Sequence, residues 1–586
     1  MEDQSTGTVA GHVPVAGASE IPPAREERLF LLLSIFIGII SGLLVVSFRM
    51  AIEWLSVLLL GSAPAAGQPR LIVIPAVAGI VVALLTRFVF PQVRGSGVNQ
   101  TKAALYIHNG YISFRTMIGK FLLSALAIGS GHSLGPEDPS LQIGAGVASL
   151  IGRRVGLSRE RLRVFAPVGA AAGLAAAFNA PISAILFVIE EVIGQWTAGV
   201  LGSIVLSAVA SVVVARWFWG AQPMFRIPSV NLRDPRELLA YAALGIVGGL
   251  ASLIFAKALE YLRPALRNQP QWFQLLQPAL AGLLVGGIGY FGLPEVMGAG
   301  YGAIDQAMHA QFAFKMLLLL ALFKIIATTL SFSSGTPGGM FAPTLFVGAM
   351  LGASVGSFEK IFFPHLTGSI GSYALVGMGV LFSAFLRAPL TSVFMVLEVS
   401  GNYSIILPVI LANTIAYILS RSLQPIPVFE LFTHQDGLYL PSMEEQREES
   451  ELHFEDALQP VNVPILQGTE TVSNTMKALN QHKEIADAPV VLVQCRSGGW
   501  YVAKHQELQS IFSEVESHQN TSNANVALED RLGPERTPLV FPDHSLSSAL
   551  PHFQRWPLLP VSNRAMRGAL EGVISFDDVL KRYQQS

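Results

Sequence analysis

Charged side chains are scarce in this chain of 586 residues, at 13% against roughly 25% in soluble domains. Hydrophobic residues make up 51%, so the composition argues against an ordinary soluble enzyme. The 38 basic and 40 acidic side chains nearly cancel, and no basic surface for nucleic acid is expected. The single cysteine, Cys495, excludes an internal disulfide framework and a thiolate metal cluster.

The charges that are present lie mainly near the C-terminus. Residues 441–586 hold 32 charged side chains in 146 positions, and the first 440 residues hold the other 46. This shift predicts an all-α polytopic membrane domain followed by a small soluble α/β domain. We expect a polar, disordered leader (1–28), a membrane domain (29–432), a linker (433–460) and a C-terminal domain (461–586).

Long apolar segments fill the first part of the chain, but few have the length of one simple span. Some are too short to cross roughly 30 Å of hydrocarbon, and others are too long for a single helix. Leu29–Phe48 fits one span, whereas Val164–Ile189 and Leu390–Ser420 are longer. Glycine and proline interrupt many of them. Broken helices at membrane depth need protein or a cavity around the freed backbone groups, so the pattern predicts a transporter or channel.

The apolar region contains an internal repeat. Pro181 is followed nine residues later by Glu190, and Pro389 is followed nine residues later by Glu398. The sequence PSLQIG at 139–144 is echoed by PTLFVG at 343–348, at nearly the same offset. We therefore predict duplicated halves, at about 30–220 and 235–430, with the site at their interface.

The C-terminal region also reads as a doublet. One unit starts near residue 462, with a helix at Val472–Asn480 and a strand at Val490–Gln494. The second starts near residue 538, with a helix at Leu546–Gln554, two strands and a final helix at Phe576–Tyr583. Strands that alternate with helices predict a small α/β unit, present twice.

Three glycine-rich turns precede helix starts in the apolar region: GSG at 95–97, GPEDP at 135–139 and GGMFAP at 338–343. A helix N-terminus carries unpaired N–H groups and a partial positive charge, which favour an anion. Glu137 lies at such a start inside the membrane region, where a carboxylate is costly. Each turn alone is compatible with a packing loop, and Glu137 with an acid that complements the helix dipole. Together they predict a site for a small anion.

Glu190 and Glu191 end the apolar run that starts at Val164. They are compatible with a helix end that reaches water, or with a proton acceptor on the cytoplasmic side. Arginines crowd residues 153–163, and Arg25 and Arg28 precede the first helix. The positive-inside rule places these segments in the cytoplasm, as a signal of topology.

These motifs, in this order, resemble the CLC family of chloride channels and proton/chloride exchangers. The family patterns GSGIP, G(K/R)EGP and GxFxP read here as GSGVN at 95–99, GPEDP at 135–139 and GMFAP at 339–343. The resemblance covers about residues 30–430. It implies an inverted repeat of tilted and broken helices, a homodimer in the inner membrane with both termini in the cytoplasm, and no required cofactor.

The resemblance also implies roles for particular residues. Ser96 and Gly97 would bind the central anion through the serine hydroxyl and the turn, and Gly339, Met340 and Phe341 through backbone N–H groups. Glu137 would be the gate that competes with chloride and carries protons. Glu191 matches the internal proton glutamate of exchangers, which family channels usually lack.

Departures from the family patterns concern the predicted anion site itself. Pro136 replaces a basic residue and has no N–H. Asp138 replaces a glycine and adds an acid that could repel anions or share a proton with Glu137. Phe429 occupies the place of a tyrosine that caps the anion, and a phenyl ring has no hydroxyl to donate. Asn99 replaces a proline, which is a milder change.

The C-terminal doublet resembles a pair of CBS domains. Asp578 matches the acid that contacts an adenosine ribose in that family, which makes an adenine nucleotide a candidate ligand. A purely structural pair is the alternative.

Chloride transport coupled to protons is the predicted function. The alternatives are a passive CLC-type chloride channel with voltage or pH gating, a fluoride exporter of the same fold, and a nucleotide sensor with a membrane anchor. An intramembrane protease, suggested by Ser130 near His132, is the remaining one, although no separate helix supplies a partner histidine.

Overall fold

The computed structural model describes residues 23–157, 159–194, 198–225, 234–365, 368–438, 440, 452–481, 488–517, 526–533, 536–563 and 569–585. Residue contacts divide the chain into two units, Met1–Pro441 and Ser442–Ser586. Each unit is described by itself.

The first unit is helical. In its first half the helices are α1 (Pro23–Leu60), α2 (Arg70–Phe88), α3 (Gly97–Tyr106), α4 (Phe114–Gly129), α5 (Glu137–Val155), α6 (Arg159–Phe178), α7 (Pro181–Phe187) and α8 (Ala198–Trp219). In its second half they are α9 (Glu237–Arg267), α10 (Gln271–Tyr290), α11 (Tyr301–Met308), α12 (Phe314–Ser333), α13 (Phe341–Phe362), α14 (Ile370–Leu386), α15 (Pro389–Ser400) and α16 (Ile406–Leu423), followed by α17 (Val428–Gln435). Within the described residues, nine helical stretches are long and apolar enough to cross a membrane.

The first helix begins earlier than the sequence predicted. Residues 23–28 were assigned to the leader, but α1 starts at Pro23. Proline is favourable in a first helical turn because its N–H would be unpaired there, and the residues that follow form helices readily. The rest of the predicted leader, residues 1–22, lies outside the described residues.

The overlong segment Val164–Ile189 is broken at Asn179–Pro181, and Leu390–Ser420 is broken after Ser400, where Gly401 takes a left-handed conformation. The break at Asn179 has its equivalent in the second half just before Leu390. α6 ends at Phe178, Asn179 takes a left-handed backbone conformation, and Pro181 starts α7. In the second half Arg387 takes the left-handed conformation and Pro389 starts α15. In the first half, α7 is followed directly by a six-residue π-helix, Val188–Ile193, which contains Glu190 and Glu191.

The two halves repeat the same order of helices, so that α1–α8 correspond to α9–α16. They also exchange reciprocal contacts. Gly135 and Gly339 form a two-way backbone bridge, with both N–H···O distances at 2.8 Å. Gly79 packs against the carbonyl of Pro278, and Gly282 packs against the carbonyl of Pro75. Swapped contacts between equivalent residues are the signature of a two-fold axis, as expected for the predicted inverted repeat.

The second unit contains two small sheets. In the first, β1 (Ile465–Gln467) lies parallel to β2 (Val490–Gln494), which pairs antiparallel with β3 (Trp500–Lys504). In the second, β4 (Leu558–Ser562) and β5 (Leu570–Ser575) are antiparallel. Helices Val472–Gln481, His505–Ser517 and Phe576–Gln585 pack with them. The predicted helix at Leu546–Gln554 is a 3₁₀ helix, because Pro551 interrupts α-helical bonding.

The predicted linker, 433–460, differs from the structure at both ends. Helix α17 continues to Gln435, and Arg263 pairs with Asp436 at 2.7 Å, so the membrane unit extends past residue 432. At the other end, Phe454 is fully buried in a core of the second unit. Gln459 exchanges backbone hydrogen bonds with Val573, which adds this segment to the sheet region.

Candidate anion-binding site

The three glycine turns meet inside the membrane unit. Ser96 is the N-cap of α3, Glu137 is the first residue of α5, and Phe341 is the first residue of α13. The Gly135–Gly339 bridge joins the turns of α5 and α13. Three helix N-termini therefore converge on one buried volume, where their partial positive charges favour an anion.

Gly97 and Gly339 allow this convergence because a side chain at either position would collide with α5. A Cβ atom at Gly97 would lie 2.0 Å from the carbonyl oxygen of Asp138. A Cβ atom at Gly339 would lie 2.7 Å from Asp138 Oδ1. Gly97 is thus required by the close approach of the α5 backbone, and Gly339 leaves room for the Asp138 side chain.

The fully buried Glu137 side chain is held at the start of α13. Ala342 N–H donates to Glu137 Oε2 at 3.3 Å, and the hydroxyl of Tyr301, the first residue of α11, donates to Oε1. Lys324 interacts electrostatically with this carboxylate from α12, while its Nζ donates to the carbonyls of Val296 and Gly298. Glu137 therefore occupies a position that an anion would favour.

The predicted anion donor Ser96 has a partner within the chain. Its hydroxyl donates to Asp138 Oδ2 at 2.9 Å and accepts from Val98 N–H at 3.2 Å. Lys120 is fully buried, interacts electrostatically with Asp138, and donates to the carbonyls of Val93 and Gly95. Lys120 and Lys324 thus support the turns before α3 and α11 in the same way.

Aromatic rings form one wall of the site. The ring of Phe341 packs with those of Phe187 at 4.8 Å, Phe382 at 5.4 Å and Phe429 at 6.2 Å between centroids. Phe429 therefore lies beside Phe341, and its ring adds apolar surface. Asn99 Nδ2 donates to the carbonyl of Phe429 at 2.9 Å and ties α3 to α17.

Two cavities lie next to this region. One, of about 430 Å³, reaches Ser96 and is lined by Arg94, Arg263 and Asn99 among others. The other, of about 420 Å³, is lined by Arg49 and Phe178 among others. The arginines bring positive charge to both cavities, which Asp436 offsets in part in the first and Asp305 in the second.

Glu190 and Glu191 have different surroundings, although they are neighbours in the π-helix. Glu190 accepts from the N–H groups of Leu390 and Thr391 at the start of α15, at 3.1 and 2.9 Å. Glu191 forms a buried ion pair with Lys102 of α3 at 2.8 Å. Of the two, Glu190 is engaged as a helix cap, and Glu191 is paired with a lysine of α3, the helix that Ser96 caps.

The geometry does not support the protease alternative. The hydroxyl of Ser130 donates to the carbonyl of Ala127 at 2.9 Å. His132 Nε2 lies 3.2 Å from the carbonyl of Pro75. Each side chain is thus engaged by a backbone carbonyl, and the two do not form a nucleophile–base pair.

In the second unit, Asp578 belongs to a helix cap. Its Oδ2 accepts from Ser575 N–H at 2.9 Å and from the Ser575 hydroxyl at 2.5 Å, next to the final helix. This arrangement fits the structural alternative, and its contact with a ribose stays a prediction.

Sequence reasoning did not identify Tyr301, Lys102, Lys120 or Lys324. For the two buried lysines a signal was present, because they are separated by the same offset as the PSLQIG and PTLFVG echoes. Tyr301 and Lys102 have no such signal, since their importance comes from contacts across more than 80 residues.

The fold defines a polytopic membrane protein with duplicated halves, and three helix N-termini meet where the halves contact each other. Residues 78–421 match the sequence model described as voltage gated chloride channel. The chain therefore belongs to the voltage-gated chloride channel family, which confirms the predicted resemblance to CLC proteins.

Two curated relatives match most of their own length. A ClcB-like chloride channel protein of Ralstonia nicotianae is 32% identical over 398 residues, which cover 66% of this chain and 92% of the relative. The H⁺/Cl⁻ exchange transporter ClcA of Salmonella arizonae is 31% identical over 422 residues, which cover 69% of this chain and 88% of the relative.

Solved structures agree on the fold. A slow cyanobacterial Cl⁻/H⁺ antiporter superposes with a TM-score of 0.63 at 24% identity, over 71% of this chain and 99% of its own. A eukaryotic CLC transporter superposes with a TM-score of 0.61 at 20% identity, over 94% of this chain and 98% of its own. At these identities the likeness bears on the fold alone, and it confirms the predicted fold class.

Proposed function

We propose that this protein exchanges chloride for protons across a membrane, with Glu137 as the gate. The observation that carries the proposal is the position of the Glu137 carboxylate at the N-terminus of α13, on Ala342 N–H. A carboxylate and a halide compete for the same donors. When Glu137 takes up a proton and leaves, chloride gains those donors, so movement of a proton and of an anion become linked.

The surrounding groups support this use of the site. Phe341 and Met340 are fully buried, so an anion there would exchange its hydration shell for fixed protein dipoles. Basic side chains line the two neighbouring cavities. The Salmonella relative carries the name of a proton/chloride exchanger, and the proposal extends that activity to this chain.

Reconstitution into liposomes with chloride and proton electrodes tests the proposal. A chloride gradient is expected to drive proton movement in the opposite sense. Glu137→Gln should abolish proton movement and spare chloride flux, because the glutamine carries no exchangeable charge. Equal chloride leak from empty and protein-loaded vesicles would refute transport altogether.

A passive chloride channel is the second candidate, and one observation favours it. Glu191, the residue proposed for the internal proton route, is paired with Lys102 at 2.8 Å. The ion pair engages the Glu191 carboxylate, so a proton that binds there has to displace the Lys102 ammonium group, which impedes proton passage. Chloride flux without proton movement, unchanged in Glu191→Ala, would select the channel. Loss of proton movement with chloride flux intact in Glu191→Ala would select the exchanger.

The cellular setting is part of the same proposal. The protein is a multi-pass membrane protein, and we place it in the inner membrane as a homodimer with both termini in the cytoplasm. The second unit would be a CBS pair. Binding of an adenine nucleotide to the full-length protein, measured by calorimetry with wild type and Asp578→Ala, tests whether the pair senses a ligand.

A further inference from the structure

We infer that Asp138 is a second tethered anion, which occupies the donors of Ser96 and competes there with the transported halide. The inference rests on the proposed anion transport and assigns a residue that tunes it. It concerns a different carboxylate from that of the Glu137 gate, and a hydroxyl at the N-terminus of α3 that Glu137 does not contact.

The side chains of Glu137 and Asp138 point in different directions. Adjacent residues in a helix project about 100° apart and do not face each other. Glu137 and Asp138 open α5, and their carboxylates reach different helices. Glu137 contacts α13 and α11, through Ala342 and Tyr301, whereas Asp138 contacts the N-cap of α3 through Ser96.

The groups that contact the Asp138 carboxylate are the ones predicted to bind the anion. The Ser96 hydroxyl has one hydrogen, and it points to Asp138 Oδ2 at 2.9 Å. The backbone of Met340 also interacts with this carboxylate. Ser96 and Met340 are the groups assigned to the central anion by sequence. The Asp138 carboxylate therefore lies where the anion's contacts would be.

The burial and the charge of Asp138 support the same inference. Asp138 is fully buried, and within the described residues its Oδ1 has no hydrogen-bond donor. Its partners are the Ser96 hydroxyl, the backbone of Met340 and the nearby charge of Lys120. The first two are the donors assigned to the anion, and one carboxylate oxygen is left without a hydrogen bond from the described part of the chain, whereas Glu190 accepts three hydrogen bonds at the start of α15. Asp138 is thus suited to exchange with an anion rather than to hold two helices together.

The consequence is a lower apparent affinity for chloride. When a competitor occupies the site for about nine-tenths of the time, the apparent dissociation constant rises about tenfold. Asp138→Gly removes the competitor, and Asp138→Asn removes its charge while keeping its size. Both variants are expected to bind chloride more tightly, by about tenfold for glycine and by less for asparagine.

The experiment is calorimetric titration of chloride into the purified full-length protein, for wild type, Asp138→Gly, Asp138→Asn and Ser96→Ala. Ser96→Ala should change binding little in wild type, where its hydroxyl serves Asp138. In the Asp138→Gly background the same substitution should weaken binding about tenfold, because the hydroxyl then serves chloride. Glu359→Gln removes another buried acid, near the far end of α13, and is expected to leave binding unchanged.

Two results would overturn the inference. One is chloride affinity no higher in either Asp138 variant than in wild type. The other is an equal effect of Ser96→Ala in both backgrounds. Asparagine preserves the shape of the side chain, so this arm stands even where the glycine variant does not fold. Chloride flux by wild type in liposomes shows separately whether the proposed transport itself is correct.

Discussion

The first turns of α5 and α13 occupy equivalent places in the two halves and face each other across the Gly135–Gly339 bridge. Their chemistry is opposite. The turn of α5 presents two carboxylates, and Pro136 removes an N–H group that its equivalent in α13, Met340, retains. The turn of α13 presents the N–H groups of Met340, Phe341 and Ala342. A symmetric backbone thus holds competing anions on one side and anion donors on the other.

The same contrast extends to the helices that support these turns. Helices α3 and α11 are also equivalent, and each receives one of the two acids. Asp138 is held by Ser96 at the start of α3, and Glu137 by Tyr301 at the start of α11. Duplication therefore explains why the helix starts meet at this place. Differences in a few side chains explain why one side carries carboxylates and the other carries N–H donors.

Substitution at the crowded glycine should break this arrangement most severely. Gly97→Ala would place a Cβ atom 2.0 Å from the carbonyl oxygen of Asp138, so α3 and α5 must separate. A displacement of about 1 Å at a binding site can cost about 100-fold in rate. We expect chloride flux in liposomes to fall by that order.

The matched control is Gly302→Ala in α11, where an added Cβ meets nothing within 4 Å. That variant should transport like wild type. Normal flux in a folded Gly97→Ala protein would show that the three turns need not meet closely.

Much of this frame could be predicted from sequence because it depends on local rules. Proline and glycine mark the starts of α5, α7, α13 and α15, and the repeat was visible in short echoes. The break at Asn179–Pro181 within the run Val164–Ile189 was also predicted, from the proline, but the π-helix at Val188–Ile193 was not. An apolar run carries no periodic signal where both faces are buried.

The partners of the acids could not be predicted, for a different reason. Tyr301 lies 164 positions from Glu137, and Lys102 lies 89 positions from Glu191. No spacing rule connects such residues, since only the packed helices bring them together. For Asp138 the sequence left two alternatives, repulsion of anions or a shared proton. Neither of them included the hydrogen bond that Asp138 accepts from Ser96.

Removal of the two acids that cap equivalent helices in the two halves, Glu190 and Glu398, should have an intermediate effect, on stability. Glu190 caps α15, and Glu398 caps α7 through Ile182 and Ser183 at 3.0 and 2.8 Å. Hydrogen bonds to charged groups contribute about 1.5–3 kcal/mol each. Glu190→Ala and Glu398→Ala should each lower the free energy of unfolding by about 2–3 kcal/mol, with the larger loss for the more buried Glu190.

Denaturant unfolding in detergent measures this effect, with Glu260→Ala as control. Glu260 forms an exposed pair with Lys257, and its loss should change stability by no more than about 0.5 kcal/mol. A strongly unequal pair of losses would mean that the caps are not equivalent. A loss of proton movement in a stable Glu190→Ala protein would instead favour the proton-acceptor interpretation.

The smallest effect is expected for Tyr301→Phe, which changes the support of Glu137 and leaves that of Asp138 as it is. Tyr301→Phe keeps the ring but removes the hydroxyl that donates to Glu137. Because the carboxylate then leaves Ala342 more readily, chloride exchange in liposomes should rise about threefold, below the roughly tenfold that one full charged hydrogen bond allows. Tyr373→Phe is the control, since its hydroxyl donates to Glu359 near the other end of α13. Slower exchange in Tyr301→Phe would mean that the hydroxyl donates to the transported anion itself. Glu137 would then not be held at α11 in the way that Asp138 is held at α3.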